Sequence, residues 1–264
     1  MNKSKLTKAV AKAMPVIPLV RTKPVEIPEI KPLYAGWCIF NTYTGNPEQP
    51  FPTSCLLVLP GRMQSGFQFA NWYRHAVLNN TMIIGVTPKD REWYPMPNGV
   101  ADQADALRGL TPATKAIENV LQDIEKYFGF TSEDIALVGY SAGAVVALET
   151  LARTKKRFAA IVSHAGAILD PQQFGDAPND TPVHLIHSID DGTFEWNERY
   201  VPSKLALLEK GYNASFCEKT HGGHGIQYPD ILFSGAFLHD KLPDYDDNYL
   251  SVIRNRLHKF YTGK

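Results

Sequence analysis

Five residues, Gly139-Tyr140-Ser141-Ala142-Gly143, stand between an apolar run, "DIALV", and a helix-like run, "AVVALETLA". A serine in a Gly-x-Ser-x-Gly setting can act as a nucleophile when a sharp strand-to-helix turn lifts its hydroxyl clear of the backbone. The pentapeptide alone is weak, because about one random chain in ten of this length would contain it. The context supplies the specificity: an apolar strand must precede it and a helix must follow at once. Gly139 and Gly143 flank the serine where neighbouring Cβ atoms would collide. The helix N-terminus then directs free N–H groups at the serine.

A serine needs a base, and the base needs an acid to orient it. In proteins built on this turn, acid and histidine follow the serine in that order. Here "LIHSIDDGTF" ends an apolar run in Asp190-Asp191, and "KTHGGHGI" carries His221 and His224 in a glycine-rich loop. Both stretches fall at the carboxyl ends of predicted parallel strands, where sites in such sheets assemble. Residue order leaves two acids and two bases open.

Other clusters are less productive. His184-x-x-His187 and His221-x-x-His224 invite a zinc reading. Residues three apart on a strand point to opposite faces, however, and no cysteine or acid cluster completes a site. No metal is expected. His164, at the end of "FAAIVSHAG", reads as a core residue behind the site.

The elements that must position these groups follow from apolar patterning. Seven strand-like stretches are "AGWCIFNTYT" (35–44), "SCLLVLPG" (54–61), "TMIIGVTP" (81–88), "DIALVGY" (134–140), "FAAIVSHAG" (158–166), "TPVHLIHS" (181–188) and "ASFCEKT" (214–220). From Cys55 onward most are continuously apolar, as in parallel strands covered on both faces. Helices fall between them. Thr111-Pro112 predicts a helix start, with Ile117, Val120, Leu121, Ile124 and Tyr127 as its stripe and Gly129 as its stop. Residues 142–154, 202–211 and 246–261 read as further helices. Strand and helix in alternation predict an α/β class: a mostly parallel central sheet with helices on both faces. Residues 167–180 alone separate two strands, which leaves no room there for a large cap domain. The 89–110 and 167–180 loops are the expected lid elements.

Bulk properties fit one domain. The chain has 264 residues, 44% of them hydrophobic, enough for one sizeable core. Formal net charge is zero, which disfavours a general nucleic-acid binder. Residues 1–33 hold seven Lys/Arg against two Glu, a basic arm with five prolines between Pro15 and Pro32. That composition predicts an extended arm, with residues 34–264 as a single domain. A solvated tail or an oligomer strap is expected of the arm before an anionic-surface contact. As a signal or transit peptide it is poor. No apolar run is long enough to cross a bilayer. Cys38, Cys55 and Cys217 are too few for a disulfide scaffold and favour a reducing, cytoplasmic setting.

From about Leu56 to Ile226 the sequence resembles the phospholipase/carboxylesterase branch of the α/β-hydrolases, which includes acyl-protein thioesterases. "LVLPGRMQSGFQFANW" is similar to that family's Leu-His-Gly loop and aromatic helix, and "REWYPMPNG" to its Trp-Phe-Asp loop. "IALVGYSAGAVVALETL" resembles its nucleophile segment, "HSIDDGTF" its His-Gly-x-x-Asp and "GGHGI" its Gly-x-His ending. The resemblance implies Ser141 as nucleophile, Asp191 as acid and His224 as base, with Asp190 and His221 as the alternatives. It implies Ala142 and Arg62 N–H groups as the oxyanion donors. Arg62 and Met63 occupy the position that touches the acyl group in that family. Trp93 and Tyr94 read either as lining of the acyl pocket or as simple loop packing, whereas Trp72 and Tyr73 read as helix-to-sheet core. Two departures stand out: Pro60 where the family has His, and Ser188 where it has Gly. The implied activity is ester or thioester hydrolysis through an acyl-enzyme, with no cofactor. A peptidase, a lactonase, a polysaccharide deacylase, a non-catalytic protein and an assembly component that keeps esterase activity are the competing readings.

Overall fold

In a computed structural model of the chain, residues 37–42, 52–76, 81–95 and 103–242 are described, with backbone alone at 37–42 and 103. The basic arm (1–33) and the amphipathic stretch 246–261 lie outside the described residues. Seven strands form one sheet: β1 (Trp37–Thr42), β2 (Ser54–Leu59), β3 (Thr81–Val86), β4 (Ile135–Tyr140), β5 (Ala160–His164), β6 (Val183–Ser188) and β7 (Ala214–Lys219). Their spatial order is β1-β3-β2-β4-β5-β6-β7. Among the described strands only β1 runs antiparallel; the other pairings are parallel. Each of the seven apolar stretches thus forms a strand, and β4, which precedes Ser141, sits at the centre.

The continuous apolar strands serve two cores, one on each face. Successive strand side chains point to opposite sides. Cys55, Leu57 and Leu59 of β2 join Ile135 and Leu137 of β4 in one core, packed by helices α2 (Gln103–Phe128), α3 (Ala142–Thr154) and α4 (Val201–Glu209). Leu56, Val58, Ala136 and Val138 join the other, packed by α1 (Gly66–Tyr73) and α5 (Tyr228–His239). A mostly parallel sheet with helices on both faces is therefore the observed architecture.

Three local expectations need correction. Helix α2 starts at Gln103, not at Pro112, and carries Pro112 inside it. The buried stripe explains this: Ala106, Leu110, Ala113, Ile117, Leu121 and Ile124 face one core without interruption. Burying that stripe outweighs the intrahelical bond that a proline cannot donate, a loss of roughly 3 kcal/mol. Part of the 89–110 loop is accordingly helix rather than lid. The 167–180 loop is no free lid either. Ala167, Ile168, Leu169 and Phe174 are buried, the Ile168 N–H donates to Ser203 Oγ at 2.8 Å, and Tyr212 donates to the Gly175 carbonyl at 3.1 Å. Finally, α5 follows Ile226 where no helix was expected. Pro229 lies in its first turn, and the Asp230 carboxylate accepts the Gln227 N–H at 2.8 Å.

Leu137 is fully buried at the centre of β4. Leu137→Ala should lower the unfolding free energy by about 2–5 kcal/mol, read from the denaturant midpoint at constant slope.

Candidate active site

Ser141 occupies the one residue between β4 and α3, with φ 53° and ψ −120°. A non-glycine residue there stores strain of roughly 1–3 kcal/mol. The surroundings enforce it. The Ser141 N–H donates to the His164 carbonyl at 2.9 Å, and the Ser141 carbonyl accepts from Ala144 at 3.0 Å and Val145 at 3.2 Å. Both flanking glycines are spatial requirements. A Cβ on Gly139 would lie 2.3 Å from Ala144 Cα, and one on Gly143 would lie 2.1 Å from the Leu59 carbonyl oxygen. The missing side chain at 143 lets the first turn of α3 press against the end of β2, where the Pro60–Gln64 loop begins.

That loop is held from several sides. Trp93 Nε1 donates to the Pro60 carbonyl at 2.7 Å, Gly61 N–H to Gln64 Oε1 at 3.2 Å, Met63 N–H to the Arg91 carbonyl at 2.9 Å and Gln64 N–H to the Gly61 carbonyl at 3.2 Å. The Arg62 N–H, between these, has no acceptor among the described residues. The Ala142 N–H, in the first turn of α3, likewise has none among them. These are the two donors expected from the sequence. The Arg62 side chain turns aside to Glu92, 2.9 Å away.

His224 joins serine to acid. Its Nε2 lies 2.8 Å from Ser141 Oγ, and its Nδ1 lies 2.9 Å from Asp191 Oδ2 and 3.1 Å from Oδ1. Asp191 is buried, and its Oδ1 also accepts the N–H groups of Thr193 at 2.8 Å and Phe194 at 3.0 Å. Burial pushes its pKa up, but the bonds from His224, Phe194 and Thr193 outweigh burial and hold it below the ordinary 3.8. Asp191 is therefore a carboxylate at neutral pH and accepts the Nδ1–H of His224.

The alternative acid and base stand outside this relay. Asp190 accepts from the Ser188 hydroxyl at 2.6 Å, from Gly223 N–H at 2.7 Å and from Gly222 N–H at 3.3 Å. The Ser188 and Gly223 bonds bring its pKa down to about 2. Asp190 is a clamp on the glycine turn before His224, and Ser188, the departure from glycine, supports that clamp. His221 is exposed, its Nδ1 3.9 Å from Asp190 Oδ2. The clamp carries no pattern that sequence reading could use; it depends on two backbone N–H groups from another strand's end. Nor does Tyr140, whose hydroxyl donates to the His224 carbonyl at 2.5 Å from a position that the pentapeptide leaves free.

The expected pocket residues fare differently. Met63 is exposed on the loop with φ 61°. Trp93 and Tyr94 are both about buried to the limit, at 3% exposure, and belong to the core beside α2, so neither presents an open pocket wall. Trp93 instead fixes Pro60. Trp72, expected in the core, is 40% exposed and borders a shallow cleft with His75, Ile226 and Tyr228, whereas Tyr73 is fully buried. His164 is buried behind the serine, bonded through Nε2 to the Tyr73 hydroxyl, and burial lowers its pKa to about 3. His184 stacks on Phe237 and His187 on Tyr200, in opposite layers, so the pair shares no ligand.

Because Asp191 titrates below its ordinary pKa when folded, its carboxylate contributes stability above about pH 4 that is lost as pH falls through the folded value. Between about pH 5 and pH 3 the wild-type Tm should therefore fall more steeply than that of Asp191→Asn, measured by thermal unfolding across the range.

A family model described as phospholipase/carboxylesterase matches residues 78–231, a span that holds Ser141, Asp191 and His224. Among solved structures, esterase PE8 is similar at 24% identity and TM-score 0.66, over 73% of this chain and 94% of its own. A phospholipase/carboxylesterase from Dyadobacter fermentans is similar at 20% identity and TM-score 0.63, over 78% of this chain and 97% of its own. The carboxylesterase of Bacillus cereus is similar at 16% identity and TM-score 0.61, over 72% of this chain and 89% of its own. At these identities the likeness is one of fold. No curated protein matches the sequence.

Proposed function

The chain belongs to the phospholipase/carboxylesterase family and is a hydrolase, and from that premise we propose that it cleaves carboxylic esters or thioesters through an acyl-enzyme on Ser141. The observation that carries the reading is the unbroken hydrogen-bonded series from Ser141 Oγ through His224 to Asp191. Nucleophile, base and orienting acid each sit within the reach that proton transfer needs.

In the proposed reaction the Ser141 oxygen attacks the substrate carbonyl carbon while His224 Nε2 takes its proton. Asp191 keeps the proton on Nδ1 and stabilises the imidazolium. The carbonyl oxygen becomes an oxyanion and takes hydrogen bonds from the Ala142 and Arg62 N–H groups, which have no acceptor of their own to release. Collapse of the tetrahedral intermediate breaks the bond to the leaving alcohol or thiol, which receives the proton from His224. Water then repeats the sequence on the acyl-enzyme and frees the acid. Every proton is carried by the chain's own groups, so the scheme asks for no cofactor. The short segment between β5 and β6 leaves no room there for a large cap, which favours a short acyl group, or an ester displayed on a larger molecule.

Labelling with a fluorophosphonate probe tests the nucleophile. Wild-type protein should take up the label covalently and Ser141→Ala should not; a folded wild type that stays unlabelled would defeat the proposal. Substitution separates the acids. Asp191→Asn should lower kcat on p-nitrophenyl esters by about three to four orders of magnitude, because the imidazole loses its orienting charge. Asp190→Asn keeps an oxygen for the Gly223 N–H, and its loss should stay under about tenfold.

A further inference from the structure

We propose that Tyr140, the residue before the nucleophile, is a positioning residue that fixes the base loop through its hydroxyl; the inference rests on His224 being the base. The loop that carries His224 connects β7 to α5 and is made of residues that resist fixing. Gly222 and Gly223 have φ values of 139° and 55°, which only glycine adopts freely. Asp190 ties down the N–H groups of these two glycines, upstream of the histidine. At His224 itself the backbone anchor is Tyr140. Its hydroxyl donates to the His224 carbonyl at 2.5 Å, and among the described residues that carbonyl has no other donor. The Tyr140 ring also lies beside the imidazole, centroids 5.6 Å apart.

The same ring reaches the other half of the site. A Cβ on Gly61 would come within 2.9 Å of Tyr140 Cδ1, so the Pro60–Gln64 loop rests directly on the ring. Phe69 of α1 backs it, centroids 6.1 Å apart. One side chain, rigidly placed by the last residue of the central strand, therefore touches the loop that carries the Arg62 donor and the loop that carries the base. Burial, and then the Asp191 charge, raise the Tyr140 pKa, so the phenol keeps the proton it donates. Packing against Gly61 and Phe69 needs only the ring. The hydroxyl is needed only for the His224 carbonyl, and this separates a positioning role from a structural one.

Tyr140→Phe deletes the bond and keeps the ring. Hydrolysis of p-nitrophenyl butyrate should show kcat lowered about tenfold or more, with KM within about twofold of wild type, because acyl transfer suffers and binding does not. Hydrogen exchange read by mass spectrometry should be faster across residues 221–227 and unchanged in α3. Tyr140→4-fluorophenylalanine, which also keeps the ring and lacks the donor, should repeat both effects where Tyr140→Phe folds poorly. Wild-type kcat in a folded variant, or unaltered exchange in 221–227, overturns the positioning role. Ser141→Ala is assayed alongside. If it retains wild-type turnover, the acyl-enzyme reading has failed and the positioning role falls with it. If it is inactive while Tyr140→Phe is fully active, only the positioning role has failed.

Discussion

The contact on which the site depends is the one between Gly143 and the end of β2. Parallel strands β2 and β4 are neighbours, so the turns that leave their carboxyl ends are forced together. With any side chain at 143, α3 could not start where it does, because the Leu59 carbonyl occupies the space. With glycine there, the helix begins immediately after Ser141, and its first turn packs against the start of the Pro60–Gln64 loop. The strained backbone at Ser141 is a consequence. Strand and helix are both held by large buried surfaces, and the single residue between them takes the conformation that is left. Burial of residues such as Leu137, Val145 and Val146 supplies far more than the roughly 1–3 kcal/mol that the strain costs.

The His224 imidazole has the opposite problem. No buried helix or strand centre holds His224; a loop with two left-handed glycines does. Order there comes from hydrogen bonds donated or accepted by residues of two other segments: Asp190 and Asp191 after β6, and Tyr140 at the end of β4. Asp190 and Asp191 show how adjacency in sequence can mean opposite environments. One is exposed and bonds the backbone of the loop; the other is buried and bonds the imidazole. A turn in which Asp191 N–H donates to the Ser188 carbonyl sends the two carboxylates apart.

Much of the fold was legible because continuous apolar runs bounded by Gly, Pro or Asn leave little alternative to a parallel sheet. Most strands from β2 onward are of that kind; β1 is antiparallel and β7 alternates in burial. What misled was local punctuation set against tertiary burial. Thr111-Pro112 has the chemistry of a helix start, yet the stripe from Ala106 to Ile124 decides where α2 begins. Residues 228–239 are apolar on most sides, so they lack a stripe and read as tail. Trp93 and Trp72 exchange their expected settings for a reason that composition cannot supply: Trp93 has a carbonyl to bond inside, and Trp72 does not lie on the face of α1 that meets the sheet. Within the site, residue order left two acids and two histidines open. What separates them is hydrogen bonding across the ends of three strands, and a linear pattern does not contain that information.

Ser188 and Asp190 carry a consequence for how the chain tolerates substitution. The serine hydroxyl serves the carboxylate, and the carboxylate serves the glycine turn, so neither residue has its full effect without the other. Their substitutions should be non-additive, the second costing less than the first. Losing either residue leaves the other with less to hold, so the two act as a pair beside the hydrogen-bonded series of Ser141, His224 and Asp191.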